Sequence, residues 1–250
     1  MEFENKVVIV TGAAQGVGKA CVEKFLADGA CVTALDINEE VLATAFEPCD
    51  SLLICKCDVG SEEDWSNTVA KTLEKFGRID ILVNNAAIFV MKGLDETSLD
   101  DFNLAMRVNM NGPYIGTKAV LEELKKNKGN IVNINSIGGL RSGPACDASM
   151  ASYGATKGAL RGFTRYAAFT LAPFGIRVNA IHPGTIRTPP LIANCKANPD
   201  FKNMLESLAP LAPHGADPED IADAVMFLAS NRARCITGAE LVVDCGTMTH

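Results

Sequence analysis

The chain alternates between two hydrophobic periods from end to end, and that alternation limits the architectures open to it. Short apolar, β-branched runs at 7–10, Cys31–Asp36, 52–57, 79–83, 130–135, 177–181 and Glu240–Val243 read as strands. Segments with helical spacing lie between them. Ser61, followed by Glu62, Glu63 and Asp64, is an N-cap with acids in the first turn, and Gly77 stops that helix. A single helix is expected over about 98–126, another over Ala151–Leu171 ending at Pro173, and a late one after Pro218-Glu219-Asp220. Strands separated by helices pair in parallel and are covered on both faces, and right-handed crossovers wind them doubly. The expectation is one α/β domain over residues 1–250, with a seven-stranded parallel sheet. The one long irregular stretch is 185–217, and stretches of that length are usually functional.

At 250 residues the chain is long enough for one large core. Its 30 acidic and 23 basic residues give a net charge of −7, which leaves no surplus of Lys and Arg to neutralise a nucleic acid. No apolar run reaches the ~18 residues of a membrane span, and residues 1–6 do not read as a signal peptide. No membrane partner is expected, and a cytoplasmic location follows by default. The nine cysteines are scattered, only Cys55 and Cys57 are close, and His182, His214 and His250 show no ligand pattern. Reduced thiols and no metal site are therefore expected.

Between the first strand and the first helix stands Thr11-Gly12-Ala13-Ala14-Gln15-Gly16-Val17-Gly18. Glycines let backbone approach a pyrophosphate and let the helix pack close to the sheet, while the helix N-terminus faces the phosphate charge. The spacing, G-x-x-x-G-x-G, departs from the common G-x-G-x-x-G, so the strand–turn–helix context carries the nucleotide-binding (Rossmann) reading. Asp36 closes the second strand, where a carboxylate accepts hydrogen bonds from the adenosine ribose. A 2′-phosphate about 4 Å from it would be repelled by ~4 kcal/mol at an effective dielectric of about 20. Even about 1.4 kcal/mol leaves a tenfold preference. Gln15 brings no positive charge, so NAD is expected over NADP.

Tyr153 and Lys157 are four residues apart on one helix face. A free tyrosine has a pKa of about 10, and a neighbouring cation favours the phenolate and makes it a usable acid or base. Ser136 ends the fifth strand, on the sheet edge that carries the Gly-rich turn. Together with Asp58-Val59, Asn84-Asn85-Ala86-Ala87, Asn109 and Pro183-Gly184-x-x-x-Thr188, these residues make the chain resemble the short-chain dehydrogenase/reductase family over nearly its whole length. The resemblance implies interconversion of a secondary alcohol and a ketone. It implies Tyr153 as general acid/base, Ser136 as partner of the substrate oxygen, and Lys157 as the group that lowers the Tyr153 pKa and holds the nicotinamide ribose. Asn109 would hold a water linking Lys157 to solvent. Asp58 and Val59 would flank the adenine, Asn85, Ala86 and Ala87 would lie along the cofactor, and Ile186 and Thr188 would bind the nicotinamide amide.

Two features depart from the family. Ala87 stands where glycine is frequent, and the spacing from Ser136 to Tyr153 is longer than is common, so the loop 138–149 is expected to bulge and line the substrate pocket or else to run over the surface. Within 185–217, Leu191, Ile192, Phe201, Met204, Leu205, Leu208 and Leu211 suit a lid over an apolar substrate or simple packing of that segment. The segments 177–184 and 237–244 are similar to those of bacterial hydroxysteroid and cyclic-alcohol dehydrogenases. A hydroxysteroid dehydrogenase, with bile acids among its candidate substrates, is the leading expectation. A dehydrogenase of smaller cyclic or aliphatic alcohols comes next, and a 3-oxoacyl thioester reductase third. Arg141 is read as solvated or as the partner of an anionic substrate tail. A non-catalytic cofactor sensor would have lost one of Asn109, Ser136, Tyr153 or Lys157, and all four are present. A homotetramer built on the helices at 98–126 and Ala151–Leu171 is expected.

Overall fold

The computed structural model describes residues 1–141 and 150–249. Its sheet holds seven parallel strands: β1 (Val7–Thr11), β2 (Cys31–Asp36), β3 (Leu52–Lys56), β4 (Ile81–Asn84), β5 (Asn130–Ile134), β6 (Arg177–Pro183) and β7 (Glu240–Val243). They lie in the order β3-β2-β1-β4-β5-β6-β7. Successive side chains of β1 point to opposite faces, so Val8 and Val10 enter one core and Ile9 the other. The first core joins the sheet to α1 (Gly16–Ala27) and α9 (Pro218–Ala229) through Val22, Phe25, Ile221 and Val225. The second is built around Trp65 of α3 (Glu62–Phe76), Leu124 of α5 (Gly112–Asn127) and Ala167 of α6 (Ala151–Leu171). Burying each Val, Leu or Phe side chain contributes about 1.5–3 kcal/mol, so a sheet apolar on both faces needs both helical layers.

Local signals place the ends of several elements. Ser61 Oγ accepts from the Asp64 N–H, and Gly77 closes α3 in the left-handed conformation at φ 76°. Buried polar groups fix the register: Asn84 Nδ2 donates to Asn133 Oδ1 at 2.8 Å, and Asn133 Nδ2 to Thr164 Oγ1 of α6 at 2.9 Å. A one-residue slip of β5 would break both bonds of the buried Asn133 side chain, while the Thr164 hydroxyl would keep its own bond to the Leu160 carbonyl.

Three expectations need correction. The helix read over 98–126 is two: α4 (Leu99–Met106) and α5, joined by a π turn at Arg107–Asn111. Pro113 has no N–H to return to the Asn109 carbonyl four residues earlier, so the α pattern cannot run through. The stretch 185–217 is not irregular throughout. It holds α7 (Pro189–Ala197) and α8 (Pro199–Leu208), each with proline in its first turn, and Asn198 caps α8 by accepting from the Phe201 N–H. Its neck is pinched where Arg187 N–H donates to the Ala216 carbonyl (2.8 Å) and Ala216 N–H to that of Thr185 (2.9 Å). A short α2 (Glu39–Ala45), capped by Asn38, was not anticipated. Of the loop 138–149, residues 142–149 lie outside the described residues.

Candidate active site

The turn after β1 is built so that backbone stays close to backbone. A Cβ on Gly12 (φ +64°) would sit 2.9 Å from the Ala86 Cα, and one on Gly18 only 2.1 Å from the Gly12 carbonyl oxygen. Gly16 differs: its φ is +56°, yet nothing lies within 4 Å of where a Cβ would be, which leaves open space above the start of α1. Gln15, the N-cap of α1, makes no side-chain cap, so the first N–H groups of that helix keep their capacity for an anion. Asn85 anchors the turn from the neighbouring strand, its Nδ2 donating to the Thr11 and Gly12 carbonyls at 2.9 and 3.1 Å. Thr11 Oγ1 accepts from the Asn85 and Ala86 N–H groups, both at 2.9 Å. These features fit a dinucleotide pyrophosphate.

Asp36 stands half-buried at the end of β2. One carboxylate oxygen accepts from the Ala14 N–H and the other from the Asn38 N–H, both at 3.0 Å, and each keeps a lone pair for a hydroxyl donor. Asp58 is spent differently: it pairs with Arg107 at 2.5 Å and accepts from the Gly60 N–H. Burial pushes its pKa up, but the Arg107 guanidinium and the Gly60 N–H prevail and hold it below the usual carboxylate range. The Val59 carbonyl accepts from the Trp65 indole at 3.0 Å, and its side chain is buried against Gly112.

Across the sheet edge, a cavity of ≈ 450 Å³ brings together Val17, Asn85, Ala87, Ser136, Tyr153 and Lys157 with Pro183, Gly184, Ile186 and Thr188. Ten expected site residues thus line one space. Gly12, Gln15, Gly16, Gly18, Ala86 and Asp36 form or brace the adjoining turn, whereas Asp58 and Val59 sit with Arg107 at the start of α3. Asn109, fully buried, stands behind the wall. Its Oδ1 accepts from the Ile88 N–H (2.8 Å), and its Nδ2 donates to the Ile88 carbonyl and Thr156 Oγ1. With both amide protons spent, the Asn109 side chain has none left to donate to a water.

The Lys157 ammonium lies 5.5 Å from the Tyr153 ring centroid and donates to the Ile134 carbonyl at 2.7 Å. Complete burial pushes its pKa down to about 7. Ser136 Oγ accepts from the Gly138 N–H at 3.1 Å and keeps its proton for another acceptor.

Some lining residues carried no warning in the sequence. Phe89 stacks on Tyr153, ring centroids 3.7 Å apart at 20°, and Met150 and Ile137 add apolar wall. His182 is buried, with Nδ1 2.9 Å from the Ser136 carbonyl; that acceptor requires a proton on Nδ1. Burial holds the His182 pKa below its usual value, despite the opposing pull of that carbonyl. Arg141 donates to the Thr247 carbonyl at 2.8 Å, so it is not simply solvated. Among the described residues no group of three or more His, Cys, Asp or Glu could hold a metal ion, and no helix is long and apolar enough to cross a membrane.

A Gly-rich turn before a helix N-terminus, an acid at the end of β2 and a Ser–Tyr–Lys set lining one cavity fit an oxidoreductase of the alcohol–carbonyl class. A family model described as "Enoyl-(Acyl carrier protein) reductase" matches residues 12–248. The chain is 38% identical to cyclopentanol dehydrogenase of Comamonas testosteroni over 247 residues, covering 97% of this chain and 96% of the relative. It is 36% identical to 3-alpha-(or 20-beta)-hydroxysteroid dehydrogenase of Mycobacterium tuberculosis, covering 98% and 90%. Among solved structures, the 3-ketoacyl-(acyl-carrier-protein) reductase of Brucella melitensis, complexed with NADH, superposes with a TM-score of 0.86 at 33% identity, covering 98% of both chains. The chain belongs to the short-chain dehydrogenase/reductase family, whose members are oxidoreductases using nicotinamide dinucleotides.

Proposed function

We propose that this enzyme interconverts a secondary alcohol and a ketone with NAD(H), on an apolar cyclic substrate of the hydroxysteroid type, bile acids included. The observation that carries the reading is the shared cavity, which Ser136, Tyr153 and Lys157 line together with the apolar side chains of Phe89, Ile137, Met150, Leu191 and Leu205. Gly12, Gln15, Gly16, Val17 and Gly18 would hold the pyrophosphate, and Asp36 the adenosine ribose. Asp58 and Val59 would flank the adenine, and Asn85, Ala86, Ala87, Pro183, Gly184, Ile186 and Thr188 would line the nicotinamide half. When bound, the dinucleotide supplies or accepts the hydride at the carbinol carbon. Tyr153 gives its phenolic proton to the carbonyl oxygen in reduction and takes the hydroxyl proton in oxidation. Ser136 donates to that same oxygen and stabilises the charge that develops on it. Lys157, when charged, favours the phenolate of Tyr153 and passes protons on toward Asn109.

Residues 185–217 act as the substrate-covering lid of a single catalytic domain. Two exposed surfaces on α6, Tyr166 and Phe169, and two near the π turn, Leu104 and Tyr114, support assembly into a homotetramer. The eight described cysteines are free, and burial pushes the Cys21 thiol up to about 12 and that of Cys57 to about 11. Protonated, unpaired thiols suit the reducing cytoplasm, where we place the enzyme.

Proton transfer by a positioned group contributes about 10²–10⁴-fold. Tyr153→Phe is therefore expected to lose turnover by that order while NADH binding, followed by fluorescence, survives; undiminished turnover overturns the role. Asp36→Ala is expected to raise the ratio of NADP to NAD in kcat/KM about tenfold or more, and an unchanged ratio removes Asp36 from cofactor choice. The resemblance to cyclopentanol dehydrogenase favours a second reading, smaller cyclic alcohols. Assays of steroids, bile acids, cyclohexanol and acetoacetyl thioesters with each cofactor decide between them. Turnover of thioesters alone would exclude both alcohols and favour a 3-oxoacyl reductase.

A further inference from the structure

Beyond Leu191 and Leu205 lies a second pocket of ≈ 570 Å³, open to solvent on one side and lined by residues of the lid. It abuts the catalytic cavity, for Thr185, Leu191 and Leu205 line both. Its walls mix apolar side chains from α7 and α8, such as Ile192, with Arg187, Lys196, Lys202, Glu206 and His214. In a chain of net charge −7, three cations face a single carboxylate here. That carboxylate is already matched, Glu206 with Lys202 at 3.5 Å, and Arg187 pairs with Asp217 at 3.3 Å. Lys196, exposed in the last turn of α7, has no acidic partner within 4 Å among the described residues.

We infer that the second pocket is a subsite for the far end of the substrate, and that this end carries a carboxylate received by Lys196. The inference rests on the dehydrogenase reading and narrows it to amphipathic alcohols and ketones. The first cavity must take the nicotinamide as well as the reacting ring, and at ≈ 450 Å³ it falls toward the small end of the about 300–1,000 Å³ common for ligand sites. A skeleton of several rings therefore continues past Leu191 and Leu205. Apolar walls take the skeleton, and an unmatched ammonium beside them takes the terminal charge. An exposed cation acts over a short range in salt, so it selects for a group held against it and not for anions in general.

The test uses matched ketones, a series of mono-oxo cholanic acids and an alkyl-substituted cyclohexanone acid, each as free carboxylate and as methyl ester. Acetoacetyl thioester and cyclohexanone serve as references. The readout is the acid-to-ester ratio of kcat/KM with NADH on whichever skeleton is reduced. A ratio of ten or more is expected for the wild type at low ionic strength, with most of it lost in 0.5 M salt. Lys196→Gln should bring the ratio close to one, and Lys196→Glu below one. A wild-type ratio of one or less, or a ratio unmoved by Lys196→Glu, overturns the subsite and leaves the dehydrogenase reading standing. Failure to reduce any of the ketones overturns both.

Discussion

Burial of Lys157 sets the catalytic site against the stability of the fold. An ammonium that protonates near pH 7 when folded, but near 10.5 otherwise, is a charge that the folded chain resists. Between those values the unfolded chain holds a proton that the folded chain lacks, so stability rises with pH across the window and is lowest below about 7. Lys157→Met in the cofactor-free protein is accordingly expected to melt several degrees higher than wild type at pH 6, at about 2–4 °C per kcal/mol for a chain of this size. The gap should narrow by pH 9, and turnover should be lost. Equal or lower melting at pH 6 would show that the bond to the Ile134 carbonyl outweighs the charge. Tyr153 and Lys157 stood out in the sequence through residue type and helical spacing, Ser136 through its place at the end of β5, and Asn109 only through the family resemblance; the first three line one cavity. Phe89 and His182 did not stand out, for an apolar side chain or a lone histidine gives no hint of the sheet edge it will reach.

The elements were readable where period and capping agree. Residues 61 to 77 show both, and α3 forms between the predicted cap and stop. The π turn and the helices α7 and α8 escaped because their causes are positional: one proline in a long amphipathic pattern, and prolines that start helices in what reads as a loop. Packing between elements was less legible still. A Cβ on Gly116 of α5 would lie 2.4 Å from the Trp65 ring of α3, although nothing in the local sequence calls for a glycine there. Gly116→Ala should cost about 1–3 kcal/mol by overpacking, seen as a melting point lowered by roughly 2–12 °C in calorimetry. An unchanged melting point would mean that Trp65 shifts freely.

At the scale of the molecule, Tyr166 and Phe169 stand 67% and 84% exposed on the longest described helix. If they are the tetramer contact, Phe169→Glu should reduce the sedimenting species to dimers or monomers without loss of secondary structure; a wild type sedimenting as a monomer contradicts the assembly outright. The strand order places Asp36, at the end of β2, and Ser136, just after β5, on opposite sides of the β1–β4 junction, so one sheet edge carries both. Residues 185–217, the proposed lid, are not part of that edge. They leave and re-enter the sheet scaffold through a neck closed by two main-chain hydrogen bonds, and the Leu211 N–H ties them back to it by donating to the Cys245 carbonyl at 3.0 Å. On the lid reading proposed above, grafting residues 187–215 from a relative between those bonds would exchange what the enzyme accepts while leaving how it reacts in place, a change of diet without a rebuilt engine.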